Sequence, residues 1–123
     1  MSSNRLVGDA GEGAVAGWYE KQGYAIVDRN WRVRSGELDV IARRGTTLVF
    51  CEVKTRRGNR FGSPAEAVTY AKQQRIRKLA IEWLRAHASQ GTTSRADVLR
   101  FDVASVRPSG DGNWLVDVIE AAF

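Results

Sequence analysis

The sequence predicts an α/β fold, a mixed sheet of about five strands flanked by helices in the order α-β-β-β-α-β-β. Three observations carry that prediction. Apolar residues recur at helical spacing in two stretches, one near the N-terminus and one after Ser63. Five shorter stretches read as strands bounded by turn residues. The longer helical stretch lies between the third and fourth strands, a crossover long enough to let those two run parallel.

The first helix is expected to begin near Asp9, where Asp9 and Glu12 have capping-box spacing. Ala10, Ala14 and Trp18, with Val15 and Tyr19, give it an apolar face, and Gly23 supplies a stop. Tyr24 to Val33 reads as the first strand, Glu37 to Arg43 as the second and Leu48 to Thr55 as the third. Between the last two, Gly45 as first residue of a two-residue loop suits a type II′ hairpin turn. Arg56 to Gly62 is a basic, glycine-containing loop. Ser63-Pro64-Ala65-Glu66 then places Ser at an N-cap, Pro at the first helical position and Glu two residues on. The long helix that follows is expected to bend near Thr69 to Lys72. Ile76, Leu79, Ala80, Trp83, Leu84 and His87 form its apolar stripe. After a polar loop from Ser89 to Arg95, Val98 to Val106 and Trp114 to Ile119 are the last two strands, joined through Pro108, Gly110 and Gly112.

A chain of 123 residues suits one compact domain, and 43% hydrophobic residues suffice for a core. One cysteine, Cys51, and one histidine, His87, cannot build a zinc site or an internal disulfide. The segment Met1 to Gly8 lacks the apolar core of a signal peptide, and no apolar run reaches the ~18 residues of a membrane span. A cytoplasmic protein with no membrane partner is therefore expected. The net charge of +5 favours a polyanionic partner, nucleic acid being the commonest in a cell.

The hairpin concentrates the chemistry. If Gly45 and Thr46 form the loop, Arg44 faces Thr47. Counting outward, Asp39 then faces Glu52, and Glu37 faces Lys54. Opposed residues of an antiparallel pair project to one face, as do residues two apart on one strand. Glu37, Asp39, Glu52 and Lys54 should therefore cluster. A one-residue change in the loop would send the two strands' charges to opposite faces. Two carboxylates among Val40, Ile41, Val49, Phe50, Cys51 and Val53 need compensation, and Mg²⁺ accepts one or two carboxylates plus waters and phosphate oxygens. Lys54 would neutralise part of the acidic cluster and orient or help deprotonate an attacking water. A solvated hairpin face with charges for solubility shows the same alternation, so spacing leaves both readings open.

Gly36-Glu37-Leu38-Asp39, followed by Cys51-Glu52-Val53-Lys54, resembles the D-x(n)-E-x-K signature of the PD-(D/E)xK nuclease superfamily, with Leu38 where the superfamily's name places proline. More closely, the chain resembles the YraN-type family of small bacterial proteins. The resemblance runs through Gly11-Glu12, Gly23-Tyr24, Arg29-Asn30, Gly36–Asp39 and Phe50–Arg56. It continues through Lys72, Arg75 and Ile76 to Arg100-Phe101-Asp102-Val103. It implies a restriction-endonuclease-like core close to the archaeal Holliday-junction resolvases. By that similarity Asp39 and Glu52 would hold Mg²⁺ or Mn²⁺, Lys54 would be the catalytic lysine, and Glu12 would add an acid from the first helix. The activity implied is endonucleolytic hydrolysis of structured or branched DNA. A homodimer follows only by analogy with the resolvases.

Glu12 has an equal claim as the capping partner of Asp9, while Glu37 reads as the ion-pair partner of Lys54 or an arginine before a metal ligand. Cys51 reads as a small buried hydrophobe, His87 as a packing or helix-end residue, and Asp102 as a structural ion-pair partner. Trp18, Trp83 and Trp114 read as core. Trp31, between Arg29 and Arg32, reads as a sheet residue before a base-stacking one. Removing Glu12, Glu37, Asp39, Glu52 and Lys54 from the 14 acidic and 19 basic residues leaves 18 basic against 10 acidic. That surplus lies close to the hairpin: Arg29, Arg32 and Arg34 before it, Arg56, Arg57 and Arg60 after it, Lys72, Arg75, Arg77 and Lys78 on the long helix. Arg56, Arg57, Lys72 and Arg75 are the candidate phosphate contacts, because cations must hold a backbone that bare carboxylates repel.

Overall fold

The computed structural model describes residues 3–56, 68–88 and 96–123, with the backbone alone for residues 3–8. Two helices and five strands follow in the expected order: α1 (Ser3–Lys21), β1 (Ala25–Val33), β2 (Gly36–Arg44), β3 (Thr47–Thr55), α2 (Tyr70–Ala86), β4 (Val98–Pro108) and β5 (Trp114–Ile119). The strands lie in sequence order in one sheet, β1-β2-β3-β4-β5. Every neighbouring pair is antiparallel except β3 and β4, which run parallel across the α2 crossover.

Strand alternation sends side chains to two cores. On one face Leu48 and Phe50 of β3 join Ile41, Phe101 and Val103, with Ile76, Leu79, Ala80 and Trp83 of α2 packed over them. On the other, Val49 and Cys51 join Val40, Ala42, Ala104 and Val106 beneath Val15 and Tyr19 of α1. β2 and β3 are apolar on both faces because each is covered twice. Among the described residues no helix is long and apolar enough to cross a membrane.

The hairpin register is the expected one, with Arg44 opposite Thr47 and Val40 opposite Cys51. Gly45 has φ +60°, and Thr46 is not left-handed, as a type II′ turn requires and a type I′ turn does not allow. Asp102 is fully buried. Arg100 grips it with two 2.9 Å hydrogen bonds, while the Tyr19 hydroxyl and the Ala121 amide donate at 2.5 and 2.9 Å. It is the ion-pair partner the sequence implied, and it ties α1, β4 and the C-terminal residues together. His87 is the C-cap of α2, its ring stacked on Trp83 at 4.3 Å. Trp83 is core, and Trp18, Trp31 and Trp114 pack partly buried against it or against the opposite core.

Three expectations change. α1 begins at Ser3, not near Asp9, so Asp9 and Glu12 stand within the helix, where no orphan amides remain to cap. α2 starts at Tyr70 with Thr69 as its N-cap, the Thr69 hydroxyl accepting the Lys72 amide at 3.2 Å. The Ser63-Pro64 helix start lies outside the described residues. Arg77 lies away from the hairpin charges, its guanidinium over the rings of Phe101 and Phe123 at 4.8 and 5.4 Å.

Candidate functional site

The sheet opens at Asp39. Toward β3, ladder pairing ends at Val40–Cys51, one residue short of Asp39 and Glu52. Toward β1, Arg29 pairs with Val40 and Trp31 with Leu38, and no pairing joins Asn30 and Asp39 between them. Asp39 Oδ2 replaces the missing ladder acceptor by taking the Val53 amide at 2.9 Å. One oxygen of Asp39 thus pins β3 where the strands separate.

The separation leaves a cleft of about 420 Å³. Glu12 from α1, Glu37 and Asp39 from β2, Glu52 and Lys54 from β3, and Lys72 and Arg75 from α2 line it. Glu37, Asp39, Glu52 and Lys54 therefore share one concavity, as the register requires. Their pairing differs from simple opposition. Glu37 takes Arg32 Nε at 2.9 Å in a half-exposed pair that contributes little. Lys54 Nζ lies 3.7 Å from Glu52 Oε1, and Lys72 Nζ approaches the same oxygen more closely, at 2.7 Å.

Glu12 reaches the cleft because of the residue before it. A Cβ on Gly11 would stand 2.9 Å from Val106 Cγ2 and 3.1 Å from Thr55 Oγ1, so only glycine lets α1 approach the sheet this closely. Glu12 is then buried beside the acids, and a hydrogen bond with the Asn30 side chain holds it. Asn30, which the sequence offered only within the Arg29-Asn30 match, is the residue that positions Glu12. Its backbone is left-handed at φ +53°, a conformation Asn tolerates better than most residues. Its Oδ1 is buried with no hydrogen-bond partner among the described residues. An asparagine, a poor strand former, inside a strand was the available signal.

Electrostatics in the cleft follow from burial. Desolvation and the Glu52 charge push the Asp39 carboxyl up to about 8, against the pull of the Val53 amide; Glu12 and Glu37 add smaller upward contributions. Burial also raises Glu12, and Asn30 moderates the rise. Burial and the neighbouring Lys72 ammonium lower Lys54. Desolvation pulls Lys72 down, but its hydrogen bonds to Glu52 and Lys54 and the charges of Glu52 and Asp39 together raise it.

The donor set suits a hard dication. Asp39 Oδ1 and Glu52 Oε2 are not engaged in the contacts above, and both are carboxylate oxygens of the kind Mg²⁺ and Mn²⁺ prefer. Among the described residues no three His, Cys, Asp or Glu side chains converge into a complete cage. Mg²⁺ does not need one, since it keeps several waters and accepts one or two carboxylates.

Of the candidate phosphate contacts, Lys72 and Arg75 line the cleft. Arg56 follows the lining residue Thr55, its amide bonded to the Val106 carbonyl at 2.7 Å. Arg57 lies outside the described residues.

Residues 11–106 match the model of the family described as uncharacterised protein family UPF0102. The chain belongs to UPF0102. A UPF0102 protein of Symbiobacterium thermophilum is 48% identical over 120 residues, 98% of each chain. One from Rhodococcus jostii is 54% identical over 99 residues, covering 80% of this chain and 84% of the relative. One from Frankia casuarinae is 44% identical over the full length of both. The UPF0102 match begins at Gly11 and ends at Val106, two residues that meet where α1 packs on β4. Every cleft residue lies inside it, and β5 lies outside.

Proposed function

We propose that this UPF0102 protein is a metal-dependent endonuclease of the restriction-endonuclease-like, PD-(D/E)xK type, hydrolysing phosphodiester bonds in nucleic acid, with branched or otherwise structured DNA as the expected substrate. One observation carries the reading: Asp39 and Glu52 share a buried cleft with Lys54, and the cleft has a cationic rim. Burial leaves the Asp39 carboxyl poorly compensated, its pKa pushed up to about 8, and a bound dication would supply that compensation.

In this mechanism Asp39 and Glu52 would hold Mg²⁺ or Mn²⁺, with Asp39 fixed in place by the Val53 amide. The bound dication would acidify a water and offset the charge that develops on the phosphate. Lys54, whose pKa burial lowers, would orient that water as the ammonium and, once deprotonated to the neutral amine, could take up its proton. Glu12, held by Asn30, adds an acceptor at the back of the cleft. Lys72 and Arg75 hold the backbone phosphates that the carboxylates repel.

The test is purified protein with Mg²⁺ or Mn²⁺ on branched, flapped and linear DNA. Cleavage by the wild type, lost in Glu52→Ala and Lys54→Ala with DNA binding retained, is the expected result. A second reading, a nucleic-acid-binding module with a vestigial metal site, draws on the Lys72–Glu52 pair, which neutralises Glu52 without any metal. Binding without cleavage under either metal would establish it.

A further inference from the structure

We infer that Lys72 is an internal counterion of Glu52, which a divalent cation must displace and which an incoming phosphate draws away. The inference rests on the metal-site reading above and concerns how that site is filled.

Lys72 stands in the first turn of α2, after its N-cap Thr69. A helix N-terminus carries partial positive charge and favours acids, yet this first turn holds none. Local helix chemistry therefore gives no reason for a lysine here, and breaches of local rules gather at functional positions. The tertiary contact supplies the reason: Nζ lies 2.7 Å from Glu52 Oε1, and the Glu52 side chain is only 11% exposed. Lys54 faces the same oxygen from 3.7 Å, so two ammonium groups share one carboxylate oxygen. Placing a dication on Glu52 beside both would crowd like charges into one small volume. Lys54 is fixed to β3, the strand that carries Glu52. Both lysines have flexible stems, but Lys72 comes from a different element from Glu52, so it can swing away without moving the strand that carries Glu52.

Once released, Lys72 remains at the cleft with Arg75 one helical turn away on the same face. Both then face a bound phosphate. Metal and nucleic acid consequently assist each other: the metal frees Lys72 for the phosphate, and the phosphate removes the metal's competitor. Linkage makes this coupling reciprocal. Without nucleic acid the site remains neutralised from within and takes up metal weakly.

The experiment is calorimetric titration of Mn²⁺ into the full chain for the wild type, Lys72→Met, Lys78→Met and Glu52→Gln. Lys78→Met removes the same charge from an exposed position on the same helix, outside the cleft. Lys72→Met is expected to bind Mn²⁺ roughly fivefold more tightly than the wild type, the upper range for a partly exposed ion pair, with Lys78→Met within about twofold of the wild type. Lys72→Gln serves as a second variant should the methionine compromise folding. Equal affinities for the wild type and both Lys72 variants, with binding still lost in Glu52→Gln, would overturn the counterion role and leave the metal site standing. Absence of Mn²⁺ binding in every protein, Lys72→Met included, would overturn the metal reading and this inference with it.

Discussion

At the scale of single residues, Asp39 shows how burial shifts the titration of an ordinary carboxyl. Its carboxyl is raised from 3.8 to about 8, so between those values the folded chain binds a proton that the unfolded chain has released. The associated stabilisation is complete below about pH 4 and is lost as pH climbs toward 8. Without metal, the urea midpoint of the wild type should fall as pH is raised from about 5 to 8.5, and Asp39→Asn should flatten that fall. An unchanged profile in the variant would show that the slope belongs to other groups. Gly11 is the steric counterpart. Gly11→Val drives a side chain into Val106, which is fully buried and has nowhere to move. A loss of about 2 kcal/mol in denaturant unfolding is expected, whereas an exposed helix glycine would tolerate the change. Asp102 is a third case. Asp102→Ala strands the Arg100 guanidinium, the Tyr19 hydroxyl and the Ala121 amide together, for an expected loss of about 3–5 kcal/mol.

At the scale of elements, the β2–β3 hairpin was legible because a two-residue loop with glycine first fixes register by counting, and alternation then fixes the faces. The sequence therefore put Asp39, Glu52 and Lys54 in one cluster. It did not show that pairing stops at Val40–Cys51 and that the Asp39 carboxylate replaces the ladder there, because strand separation depends on what packs on both sides of the sheet. The helix starts were harder to read. Asp9 and Glu12 have capping spacing, but a cap is a backbone state, and Leu6 and Val7 alone are too few to show that a helix is already under way. For α2 the described cap is Thr69, and Thr69→Ala should cost about 1 kcal/mol in thermal denaturation by freeing the Lys72 amide. That change also loosens the backbone carrying Lys72, so it should weaken DNA binding, and binding equal to the wild type would count against a role for α2 in gripping phosphate.

At the scale of the whole molecule, the net charge of +5 is distributed unevenly. Glu12 and Asp39 of the cleft are buried and Glu52 nearly so, and cations from β1, β3 and α2 surround them. Binding to nucleic acid should weaken steeply with salt. Replacing both Lys72 and Arg75 by Ala should reduce the slope of log affinity against log salt by about 2, since two phosphates would no longer be neutralised. A slope unchanged in the double variant would place the nucleic-acid path elsewhere on the surface. Arg77 instead lies over the rings of Phe101 and Phe123, a placement that helix position alone did not reveal.

The order of the elements, the hairpin register, the two-sided burial of β2 and β3, and the meeting of Asp39 with Glu52 and Lys54 are all written in the linear chain. Each follows from periodicities of two or 3.6 residues and from turn chemistry within a few positions. Three-dimensional packing had to settle that Gly11 seats Glu12 against the sheet, that Asn30 holds Glu12, and that Lys72 takes Glu52 ahead of Lys54. Those contacts join residues far apart in the chain, and their geometry is set by α1 and α2 packing on opposite faces of the sheet, which no local pattern encodes.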